Sequence, residues 1–171
     1  MQVTPQEISA AKVPHDIFLS NLIMNHILLF TAIAAFGGSY IKFLILIPLF
    51  SFIALATTFY KASKVKREDS EFVYVHWQIA RRWSVLFSAV LSLLCTVSLL
   101  GWLGQQYGNM MKEMVYALIG GLGILPTLLT VLVLVVIESD SLHYARLGEF
   151  PKGSRKRYLG EDEPASENQT G

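Results

Sequence analysis

The chain has 171 residues, a formal net charge of +1, 53% hydrophobic and only 16% charged residues, and a mean hydropathy of +0.45. A water-soluble domain of this length carries more charge and fewer apolar residues, and a net charge this small sets up no field for nucleic acid or an acidic substrate. Cys95 is the single cysteine, which excludes an intrachain disulfide and a cysteine-built metal site.

Residues 1–13 read as a polar cytoplasmic lead-in, and Pro14 suits the first turn of a helix, where a missing N–H costs little. The apolar residues beyond it fall into four blocks, 17–37, 41–60, 83–103 and 115–137, each close to the ~20 residues that carry a helix across a bilayer. Inside hydrocarbon the backbone has no water to bond, so each block is expected to be a spanning helix. A soluble bundle would need a polar stripe on every helix, and "VLVLVVI" at 131–137 has none. The expected fold class is therefore all-α: an integral membrane four-helix bundle of two antiparallel hairpins spanning 14–150, with helices three and four extended into the cytoplasm.

Block one contains Asn21, Asn25 and His26, a polar cluster expected to hydrogen-bond to Thr57, Thr58 or the serines of helix three. The same three residues argue against a cleaved signal peptide, whose apolar region is smooth. Gly37-Gly38-Ser39 marks a tight turn to helix two. There Pro48, like Pro126 in helix four, is expected to kink or unwind its helix and free the carbonyls of Leu44 and Leu122.

Lys61, Lys64, Lys66, Arg67, Arg81 and Arg82 lie between blocks two and three, and Arg146, Lys152, Arg155, Lys156 and Arg157 follow block four. The positive-inside rule puts that loop and both termini in the cytoplasm, with a bacterial inner membrane as the expected location. Burying Arg81 and Arg82 at mid-membrane would cost on the order of 5 to 7 kcal/mol together, so they mark the boundary, with Trp77 and Trp83 as interfacial anchors. Asp69 or Ser70 is a candidate N-cap for an extension of helix three through "FVYVHWQIA", for which a short strand is the competing reading.

Helix three carries Ala80, Ser84, Ser88, Ser92 and Thr96 at four-residue spacing, a ridge expected to pack against Ala117, Gly120, Gly121 and Gly123 of helix four. Helix four is expected to continue through "ESDSLHYARL" to Gly148 and Pro151. If both extensions are helical, His76 and His143 sit at equal depth, about 10 Å beyond the apolar core. Asp140, one turn before His143, could orient its imidazole or ligate a metal, and Glu138 could pair with Arg81 or Arg82. From residue 151 the chain is expected to be a disordered cytoplasmic tail, whose Asn168-Gln169-Thr170 sequon would not meet the glycosylation machinery.

No histidine box, H-E-x-x-H, phosphate loop or nucleophile–base pair is present. The first functional expectation is a non-enzymatic multi-pass protein, a subunit, assembly factor or scaffold of a larger membrane complex. Its partners would be the lipid bilayer and other membrane subunits or copies of itself, with no cofactor. The alternative is a redox subunit holding haem b or a metal through His76 and His143, with His26 and His15 as weaker ligand candidates. A small transporter using His26 and Asn21 is the second alternative.

Overall fold

The structure, a computed structural model, describes residues 3–160, and every regular element among them is helical. Helix α1 (Pro5–Ser20) starts at Pro5 and not at Pro14. The sequence "TPQE" explains the earlier start. Thr4 caps the helix, accepting from the Glu7 backbone N–H at 3.3 Å, while Glu7 Oε2 accepts from the Thr4 N–H at 2.8 Å. That is a capping box with proline at the first helical position, where its missing N–H is no loss. Pro14 is therefore interior to α1, and most of the expected lead-in is helical.

After α1 the chain widens into a π-helical segment, Asn21–Leu29, then returns to α2 (Phe30–Ala35). Gly37, at φ +80°, turns it into a 3-10 segment, Gly38–Ile45, followed by α3 (Leu46–Lys64). Pro48 falls in the first turn of α3, so there is no preceding α-helical turn for it to kink. Helix α4 (Glu71–Tyr107) is continuous, capped by the Ser70 side chain, so the strand alternative for 72–80 is not realised. Helix α5 (Lys112–Leu118) passes through a second π-helical segment, Ile119–Ile124, into α6 (Leu125–Leu147). The local unwinding expected at Pro126 takes this form, because the proline withholds the N–H that Leu122 would bond in an α-helix.

Helix α6 ends as the sequence suggests. Gly148 adopts φ +73°, its N–H donates to Ala145 O at 3.3 Å, and the Glu149 N–H donates to Tyr144 O at 3.0 Å. This pair of bonds is a Schellman motif. Beyond it, α7 (Ser154–Leu159) is helical where disorder was expected, with Leu159 buried against Val75 and Ile79, and the rest of the expected tail, from residue 161, lies outside the described residues. The sequon at 168–170 lies outside the described residues.

Four continuous helical stretches, Pro5–Ala35, Lys42–Lys64, Glu71–Tyr107 and Lys112–Leu147, are long and apolar enough to cross a membrane and suggest a membrane protein. Their shared core is Phe18, Leu22, Leu55, Phe87, Leu91, Val131 and Leu134. Outside it the side chains stay apolar: Leu49, Ile53, Leu86, Leu93, Leu129, Val133 and Val136 are all exposed. So many large apolar side chains exposed along the long helices suit contact with lipid better than contact with water. At one end, here the basal end, a second cluster joins Ala11, Phe72 and Ala145 with Val3, Ile8 and Phe150. Ser70 also donates to Glu7 Oε1 there at 2.7 Å, so one carboxylate links the starts of α1 and α4.

Candidate functional site

The basal end holds a buried chain of ionisable groups. His15 from α1, His76 from α4 and Glu138 from α6 have no solvent exposure. His15 Nδ1 lies 2.6 Å from Glu138 Oε2, His15 Nε2 lies 2.9 Å from His76 Nδ1, and His76 Nε2 lies 3.3 Å from the Glu149 carbonyl oxygen. The last acceptor is delivered by the Schellman turn at Gly148, so a backbone cap and three side chains form one network.

The direction of that chain follows from its end. A carbonyl only accepts, so His76 Nε2 carries a proton. His76 is fully buried with no carboxylate in contact among the described residues, so the cost of burying an unpaired charge keeps its imidazole neutral. Its Nδ1 is then a bare lone pair that accepts from His15 Nε2–H. The remaining His15 nitrogen and Glu138 Oε2 share a single proton: on nitrogen the pair is imidazolium–carboxylate, on oxygen it is neutral. The trio is electrically neutral in either arrangement, which is how three ionisable groups tolerate complete burial. Glu138 Oε1 has no hydrogen-bond partner among the described residues, nor does the buried Ser84 hydroxyl.

This geometry corrects two expectations. Glu138 pairs with His15 and with neither Arg81 nor Arg82. His143 is exposed, its ring edge on Tyr144, and Asp140 is exposed too, so the structure does not bring either to His76, whose two ring nitrogens are both engaged. No group of three or more His, Cys, Asp or Glu side chains is arranged to hold a metal ion among the described residues.

The Asn21–Asn25–His26 cluster forms, with a partner other than those expected. In a π-helix the turn closes on i+5, so Asn25 and His26 both come over Asn21, and all three are buried. The hub is Ser51 of α3. Its hydroxyl donates to Asn21 Oδ1 at 2.9 Å and accepts from His26 Nε2, while Asn25 Nδ2 donates to the Ile47 carbonyl at 2.8 Å. Thr57 and Thr58 instead bond back to carbonyls of their own helix. Beside His26 lies a cavity of about 420 Å³ lined largely by apolar groups, among them Phe30, Pro48, Leu94, Ile119 and Leu128.

The small-residue ridge does not meet helix four as expected. Gly123 packs on Leu94 and Gly101 on Val115 and Ile119, but Gly120 and Gly121 face open space. Ser84 is buried, Ser88 half-buried, and Ser92 and Thr96 exposed. At 3.6 residues per turn each four-residue step overshoots by about 40°, so the ridge winds from the interior to the outside.

At the basal boundary Trp77 is buried, while Arg81 and Arg82 are exposed, with the Arg82 guanidinium 5.1 Å from the Trp83 ring centroid. Compared with protein-family models, curated proteins and solved structures, the chain gives no match.

Proposed function

We propose that this chain is a non-enzymatic, multi-pass membrane protein working as a subunit, assembly factor or scaffold in a larger membrane complex. Its helices would form two antiparallel hairpins, with both termini and the basal end in the cytoplasm and a bacterial inner membrane around it. The observation that carries this reading is the outward turn of Ser88, Ser92 and Thr96 on α4, with Gly120 and Gly121 open on the neighbouring segment. Lipid tails gain nothing from small residues, whereas another helix can approach closely over them. The Thr96 hydroxyl bonds back to Ser92 O at 2.8 Å, so that donor is already satisfied within its own helix. The buried His15–Glu138–His76 network suits a scaffold, since it fixes three helices in register.

Extraction from the native membrane in mild detergent should retain a partner protein or a second copy, and Ser92→Leu should weaken that association while leaving the helical spectrum intact. Recovery of a lone monomer from the native membrane refutes the proposal. A second reading, a small transporter using His26, draws support from the 420 Å³ cavity beside that residue. Flux in proteoliposomes that is insensitive to His26→Leu rejects it.

A further inference from the structure

Two cavities at the basal boundary share Arg82, Arg157 and Tyr158. The first, about 460 Å³, is completed by Arg81 and Gln78, and the second, about 510 Å³, by Lys152, Trp83, Tyr144 and Asp140. Four cations from two helices and a loop thus converge on one place, and Arg81, Arg82, Lys152 and Arg157 are all exposed. None of them lies within ion-pair distance of a carboxylate among the described residues. Bringing like charges together is unfavourable without a counter-anion, yet the fold does so deliberately: burial of Leu159 on Val75 and Ile79 folds α7 back and sets Arg157 beside α4. The depth is also distinctive. Arg81 and Arg82 directly precede the apolar 83–103 segment, and Trp83 and Tyr158 supply aromatic walls of the kind that sit at headgroup level.

We propose that this paired cavity binds the headgroup phosphate of an anionic phospholipid. Arg82 and Arg157, common to both cavities, would grip the phosphate oxygens with their guanidinium forks, while Arg81 and Lys152 add charge on either side. Asp140, the one carboxylate in the lining, opposes binding and limits its strength. The inference requires the membrane placement of α4 and is independent of the subunit reading.

The test uses the full chain in detergent, with phosphatidylglycerol and phosphatidylcholine of matched acyl chains, followed by native mass spectrometry. Phosphatidylglycerol should be retained preferentially, and Arg82→Gln with Arg157→Gln should reduce its retention roughly tenfold or more. The charge-matched pair Lys64→Gln with Lys66→Gln, outside the cavities, should leave retention unchanged, and Asp140→Asn should raise it. Arg82→Lys with Arg157→Lys keeps the charge and should restore much of the binding, which separates loss of the site from loss of the fold. Equal retention of the two lipids, or equal losses from the two glutamine pairs, overturns the proposal. Displacement of the lipid by inorganic phosphate at equal concentration would overturn the lipid as the ligand and assign the cavity to a soluble phosphate.

Discussion

Glu138 closes the basal network, whose hydrogen-bond directions are set from the other end by the Glu149 carbonyl. Glu138→Gln can keep the chain intact, because its amide N–H can donate to His15 Nδ1 while a neutral His15 still donates from Nε2 to His76, and it is expected to cost about 1 kcal/mol or less. Glu138→Leu leaves His15 Nδ1 buried without a partner and should cost about 1–3 kcal/mol more. Thermal unfolding in detergent measures both, and equal losses would show that the hydrogen bond to His15 contributes nothing. The sequence made His76 conspicuous beside its tryptophans and arginines, but not His15. The signal for His15 was its spacing: Ala11, His15, Phe18 and Leu22 follow the 3.6-residue period of one buried face, hidden by reading Pro14 as a helix start.

Elements were legible wherever length and composition alone decide them. The apolar blocks became helices, Ser70 caps α4, and Gly148 stops α6, because each signal depends on residues within one turn. Less legible were departures from α geometry at 21–29, 38–45 and 119–124, since a π or 3-10 turn depends on which carbonyl the chain finds after packing. Helix α7 was missed for a related reason: its six residues carry little apolar character, and it is held by Leu159 reaching a site on α4. Gly148 shows how a local cap serves a distant site. Its left-handed backbone strains any residue with a Cβ, so Gly148→Ala should cost about 1–2 kcal/mol from conformation alone. The same turn aims the Glu149 carbonyl at His76 at 3.3 Å, so displacing it also strips a hydrogen bond from the network. Thermal unfolding in detergent measures the loss, and a Gly148→Ala variant as stable as the parent would show that the turn does not require the left-handed backbone.

Across the whole molecule, two polar layers are separated by a dry one. The His15–His76–Glu138 network and the Asn21–Asn25–His26–Ser51 cluster have Phe18, Leu22, Phe87, Leu91 and Leu134 between or beside them, and Phe87 sets its edge against both Phe18 and His26. Phe72 is as fully buried, but at the basal end, edge-on to His76 and Phe150. The two phenylalanines therefore test where the membrane boundary lies. Truncating a buried phenylalanine in a water-soluble core costs about 3–5 kcal/mol, part from transfer of the ring to water and part from the cavity left behind. If Arg81 and Arg82 mark the boundary, a helix that separates within the bilayer exposes Phe87 to lipid, which is as apolar as the core it leaves. The transfer part then vanishes and only the packing part remains. Phe72 returns to water and bears both. Phe72→Ala should accordingly destabilise the protein by about 2 kcal/mol more than Phe87→Ala when unfolding is measured in lipid bicelles. Equal costs would place both rings in one environment and move the boundary away from the paired arginines.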